Sequence, residues 1–153
     1  MKTLVIGLGS PLLCDDSVGL KVAQEVRRRL GERADVDVEE DVRGGLQLME
    51  RLAGYDRAII VDAIVTGASP GTLHQLTPAD IPTQRSASQH DVNLPTALEL
   101  GRQLGVQLPE NRDILLVGIE AEDILTFNEQ CTPAVTAAIP RAVEVVLGSL
   151  LQR

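Results

Sequence analysis

Residues 3–6, Thr-Leu-Val-Ile, form a short apolar run rich in β-branched side chains. That pattern suits a strand buried on both faces of a sheet better than a helix. Gly7 and Gly9 follow it and allow a tight turn with close backbone approach. From Val18 the period changes: Val18, Val22, Val26 and Leu30 recur every four residues and predict an amphipathic helix, with Gly31 just past its end. Val36 and Val38 then alternate with Asp37 and Glu39, which predicts a second strand near the sheet edge. Leu46, Met49 and Leu52, set between Gly44-Gly45 and Gly54, predict a short helix. Ala58-Ile59-Ile60-Val61 is again wholly apolar and stops at Asp62, so a buried strand delivers a carboxylate at its end.

Farther on, the Gly-, Ser- and Pro-containing stretch from Thr66 to Gly71 predicts a loop, and Thr72 to Leu76 an added strand that can run antiparallel. Thr77 to Gln89 is polar, is interrupted by Pro78 and Pro82, and reads as a surface loop. It leads through Ser88-Gln89-His90-Asp91 into a helix carried by Leu94, Ala97, Leu98 and Leu104, with Pro95 in the first turn. Ile114 to Val117 predicts another buried strand, ending at Gly118 with Glu120 and Glu122 beyond it. Thr132-Pro133 is an N-cap and N1 pair opening a last helix through Val135, Ile139, Ala142 and Val146, in which Pro140 predicts a kink near Ile139. Strands alternating with helices imply parallel pairing and right-handed crossovers. The expected fold is α/β: a three-layer α/β/α sandwich around a mostly parallel sheet of about five strands, one of which can be antiparallel.

Composition narrows the function. A length of 153 residues fits a single domain spanning 1–153. Hydrophobic residues make up 44% of the chain but aromatics only 1%, which weighs against stacking on bases or sugars. The formal net charge of −8 repels polyanions, so a phosphate-tracking nucleic-acid surface is not expected. Arg27 to Arg29, the one basic cluster, closes the first predicted helix, where cations complement the macrodipole. Cys14 and Cys131 match no CxxC spacing and argue against structural zinc or thioredoxin chemistry. No signal-type segment opens the chain, and no apolar run approaches the roughly 18 residues of a membrane span. The expectation is a reduced, cytoplasmic protein that does not insert into a membrane.

Among chemical candidates, Gly7-Leu8-Gly9 invites a dinucleotide reading, but Leu12 stands where a third glycine belongs and Pro11 removes a backbone donor. Cys14 with His90 as base resembles no cysteine-protease signature, and a small half-buried thiol is the better reading. The remaining constellation is Asp16, Asp62 and His90, which parallel strands would bring to the carboxyl edge of the sheet. Two carboxylates and an imidazole with open positions suit zinc, nickel, copper or iron better than magnesium or calcium. Plainer roles stay open: Asp16 as a helix cap, Asp62 bonded to loop amides, His90 on the surface. His74 reads as solvated on an edge strand, and Glu120 and Glu122 as solvated loop charges.

The segments Gly7-Leu8-Gly9-Ser10-Pro11-Leu12-Leu13-Cys14-Asp15-Asp16-Ser17-Val18-Gly19, Val61-Asp62-Ala63, Pro70-Gly71, Ser88-Gln89-His90 and Thr132-Pro133-Ala134-Val135 together resemble the hydrogenase maturation proteases, which trim the C-terminal tail of nickel-iron hydrogenase large subunits. The resemblance implies metal-binding positions at Asp16, Asp62 and His90. It further implies an endopeptidase that recognises a large-subunit precursor through nickel already inserted there, so that the metal arrives with the substrate. For the cut itself, a nickel-polarised carbonyl or an activated water, with Asp16 or Asp62 as base, is a physically reasonable hypothesis. Ser10, Ser17 and Val42-Arg43-Gly44-Gly45 depart from the family's commoner residues, and the last of these, in a loop expected to flank the cleft, bears on which hydrogenase is the partner. Two alternatives accompany this reading: a non-catalytic, nickel-dependent maturation chaperone, and a metallopeptidase with its own bound metal.

Overall fold

The structure, a computed structural model, describes residues 1–42, 44–80 and 93–151. Among these, five strands, β1 (Thr3–Leu8), β2 (Val36–Asp41), β3 (Arg57–Ile64), β4 (Leu73–Leu76) and β5 (Ile114–Glu120), form one sheet in the order β2-β1-β3-β5-β4. All neighbours pair in parallel except β4, which runs antiparallel to β5. Among the described residues four helices cover the sheet: α1 (Val18–Leu30), α2 (Gly45–Leu52), α3 (Leu94–Gln103) and α4 (Pro133–Leu151).

The side-chain alternation of the central strands creates two cores. Val5, Ile59, Val61 and Val117 point to the layer of α1 and α4, where Val18, Val22, Val26 and Val143 meet them. Leu4, Ile6, Ile60 and Leu116 point the other way, to Leu48, Leu52 and Leu98 of α2 and α3. Strands buried on both faces need apolar residues at successive positions, which is why they read as continuous runs. Thus the expected three-layer α/β/α sandwich forms, with the added strand antiparallel. The Arg27–Arg29 cluster is absorbed as expected at the end of α1: Arg27 pairs with Glu40 at 3.0 Å and Arg29 with Glu144 at 2.7 Å.

Several local expectations change. β3 continues two residues past Asp62, and β5 continues through Glu120, so both carboxylates lie inside strands rather than after them. In α2 the buried stripe is Leu48, Met49 and Leu52, while Leu46 in the first turn is exposed. α4 is not split at Pro140 but continues for 19 residues. The carbonyl that the proline leaves without its helical partner belongs to Thr136, which is exposed like Pro140 itself, so water can serve it. By length and composition α4 could cross a membrane. In this fold its stripe of Val135, Ala138, Ala142, Val143 and Val146 is buried against the sheet and α1.

Candidate active site

The strands β1 and β3 are adjacent and parallel, so the segments leaving them emerge at the same edge. After β1 the chain turns at Gly9, which has φ +149° and where a Cβ would overlap the carbonyl oxygen of Asp16. A 3-10 turn, Cys14–Ser17, follows and runs directly into α1. Gly19, in the first turn of α1, lets the helix sit on two strand ends at once: a Cβ there would overlap the carbonyl oxygens of Leu8 and Val61. Val61 precedes Asp62, and the 3-10 turn carrying Asp16 touches β3. The structure therefore brings Asp16 and Asp62 to neighbouring positions at the carboxyl edge, 8% and 4% exposed. Asp16 Oδ2 accepts the Ser10 N–H at 3.1 Å, which ties the carboxylate to the β1 turn.

Asp15, its neighbour, does something else. It is fully buried and accepts the N–H groups of Glu122 (2.9 Å), Asp123 (3.0 Å) and Thr132 (2.7 Å), and the Thr132 hydroxyl at 2.9 Å. A short bridge between Leu13 and Asn128 and the Cys14 N–H to Asn128 carbonyl bond at 2.9 Å extend the clamp. The segment after β5 is thereby fastened to the turn that carries Asp16. Thr132, read from sequence as a helix cap, spends its hydroxyl on Asp15 instead, a pairing that no local spacing signals.

The Cys14 thiol is pushed above its ordinary pKa by burial and then by the nearby Asp15 and Asp123 charges. Burial also raises Cys131. Neutral thiols are poor nucleophiles, so the sulfur chemistry set aside in the sequence has no support from the site's electrostatics.

Two expectations about polar residues are corrected here. Glu120 is not a solvated loop charge: it is 1% exposed and accepts hydrogen bonds from Thr66 N (2.7 Å), Thr66 Oγ1 (2.5 Å) and Gly67 N (3.3 Å). Burial works to raise its pKa, but these bonds and His74 outweigh it and hold the carboxyl below the usual range. Nor is His74 solvated on its edge strand: it is half-buried, with Nε2 3.2 Å from Glu120 Oε1. The pair fixes the loop leaving β3, the strand that bears Asp62. Glu122 contributes its backbone N–H to the Asp15 clamp.

His90, the third expected member, lies outside the described residues. Among the described residues, no group of three or more His, Cys, Asp and Glu side chains is placed to hold a metal ion. Asp16 and Asp62 supply two carboxylate donors, which fit a divalent cation if a further ligand joins them.

The acidic pair at the carboxyl edge of this doubly wound α/β sheet, Asp16 in the turn after β1 and Asp62 near the end of β3, lies where open sheets of this kind bind ligands and defines a class of site rather than one reaction. Comparison with known proteins narrows it. The sequence model of the family described as hydrogenase maturation protease matches residues 20–149. The Hydrogenase 2 maturation protease of Escherichia coli strain K12 is 31% identical over 153 residues, covering 98% of this chain and 91% of that protein. The solved structure of the hydrogenase maturating endopeptidase HybD from E. coli superposes with a TM-score of 0.82 at 31% identity, covering 99% and 93% of the two chains. A relative in Methanothermobacter thermautotrophicus named coenzyme F420 hydrogenase subunit delta is 27% identical, covering 97% of this chain and 94% of that protein. The chain belongs to the hydrogenase maturation protease family, a family of endopeptidases.

Proposed function

We propose that this protein removes the C-terminal extension of a nickel-loaded [NiFe] hydrogenase large-subunit precursor, and that it does so in the cytoplasm. The observation that carries the reading is the delivery of Asp16 and Asp62 to one edge by adjacent strands, in a chain that aligns almost end to end with a hydrogenase 2 maturation protease.

Nickel in this reading belongs to the substrate, and Asp16, Asp62 and His90 are the residues that reach it. The metal supplies Lewis acidity at the scissile carbonyl. The chain's own part is positioning and proton handling. The Asp15 clamp and the Ser10 N–H to Asp16 bond hold the first carboxylate at the strand end, and β3 holds the second. Either carboxylate can accept a proton from the attacking water if the substrate brings that water within hydrogen-bond reach.

The test is mass analysis of a nickel-loaded precursor before and after incubation. The expected outcome is loss of the tail with wild-type protein, and a fall in rate of about 100-fold or more for Asp62→Ala and His90→Ala. A precursor that binds yet keeps its full mass would instead identify a chaperone. The purified protein alone should carry sub-stoichiometric metal, and one tightly held ion per chain would favour the self-contained metallopeptidase.

A further inference from the structure

Among the described residues ten large hydrophobic side chains are exposed, and six of them, Leu12, Val42, Leu46, Val65, Leu125 and Phe127, sit in the segments that leave the carboxyl ends of β1, β2, β3 and β5. Those four strands are mutually parallel, so all six emerge at the edge that carries Asp16 and Asp62. Single exposed apolar residues are ordinary, but a convergent set around a recessed polar site marks a contact surface. The extreme members are Phe127 at 82% exposure and Leu125 at 76%, and Phe127 is the only phenylalanine in a chain nearly free of aromatics.

These two side chains are displayed by a braced loop. Asp123 accepts the N–H groups of Leu125 (2.9 Å) and Thr126 (3.0 Å) and the Thr126 hydroxyl (2.6 Å). On the far side of the tip the Asn128 N–H donates to the Leu12 carbonyl at 2.9 Å. The loop's two ends are held by Asp15 through Glu122, Asp123 and Thr132. Anchors fixed before binding lose little conformational freedom when they dock. Because the loop is hydrogen-bonded to the turn that carries Asp16, a protein whose scissile segment reaches Asp16 must also meet Leu12, Leu125 and Phe127.

We propose that this apolar rim docks the folded body of the hydrogenase large-subunit precursor, with Phe127 and Leu125 as its anchors. The proposal rests on the protease reading above for the identity of the occupant. The occupant is a protein surface with an apolar patch beside its tail, because the rim projects outward while the carboxylates stay recessed. The net charge of −8 repels an acidic partner, and the six rim side chains carry no charge of their own, so the rim supplies apolar contact. The rim therefore sets binding and leaves the chemical step to the site.

The experiment titrates full-length wild-type protein, Phe127→Ser, Leu125→Ser and the control Leu104→Ser with the nickel-loaded large-subunit precursors of the source organism. It records both the dissociation constant and tail removal. Leu104 is 70% exposed and lies just beyond α3, away from the rim. The expected result is a rise in Kd and KM of about tenfold or more for the two rim variants, with kcat and the Leu104→Ser values nearly unchanged. The affinity should also be nearly independent of salt between low and high ionic strength. Rim variants that match Leu104→Ser overturn the proposal, as does a wild-type protein that binds no precursor. A dimer of the protein that Phe127→Ser converts to monomer overturns it in favour of self-association. A precursor that binds through the rim but is not cut leaves docking in place and defeats only the protease reading.

Discussion

Asp15 and Asp16 are adjacent, chemically alike and both buried, yet the fold gives them separate tasks. Asp15 accepts four different donors from the segment after β5, whereas Asp16 accepts the Ser10 N–H of the β1 turn. Bonds to a buried charged acceptor contribute about 1.5–3 kcal/mol each and are not additive. Asp15→Ala should thus lower unfolding free energy by about 3 kcal/mol or more in urea titration. Asp16→Asn, which keeps the shape and an acceptor oxygen, should unfold close to wild type while losing tail removal. If the stability losses fell the other way round, the assignment of roles would be wrong. Strand topology nominated Asp16 and the family resemblance agreed, but the clamp around Asp15 depends on partners more than 100 positions away.

Elements place these residues through close backbone contact. α1 can rest on the ends of β1 and β3 only because Gly19 lacks a side chain, since a Cβ would strike two carbonyl oxygens on different strands. Neither oxygen can move without shifting its strand, so Gly19→Ala should destabilise by about 2 kcal/mol and displace the turn that carries Asp16, reducing activity as well. Gly148→Ala in α4 is the matched comparison: nothing lies within 4 Å of its added Cβ, and it should be neutral or stabilise by about 0.5–1 kcal/mol. Thermal unfolding of the two variants checks the difference. Existence and type of the elements were legible because buried parallel strands and amphipathic helices have different periods. Their ends were less so: the charge of Asp62 and the glycine at 118 read as strand stops, although β3 runs on to Ile64 and β5 to Glu120.

For the whole molecule, one sheet runs from Thr3 to Glu120, and α4 closes the layer begun by α1. The chain should consequently unfold as one cooperative unit, with a single calorimetric transition. Its acid side should depend on Glu120. That carboxyl has a folded pKa below its unfolded value, so its contribution is present above the unfolded pKa and lost as pH falls through the folded one. Glu120→Gln should lower Tm at neutral pH and flatten the fall in Tm below about pH 4.3. An unchanged acid profile in the variant would show that the Thr66, Gly67 and His74 contacts contribute little.

The α/β class, the order of strands and helices and the low-aromatic core were legible in the sequence alone, because each rests on local period or composition, and the same patterns nominated Asp16 and Asp62 as candidates. Tertiary structure decided what lies between distant segments. It made Glu120 a buried carboxylate beside half-buried His74, gave Asp15 to the loop after β5, and set exposed Leu12, Leu125 and Phe127 at the edge that carries the acidic pair. Hydrogen-bond partnership and exposure depend on which chain segments meet across the sheet, and no local pattern of residues encodes that meeting.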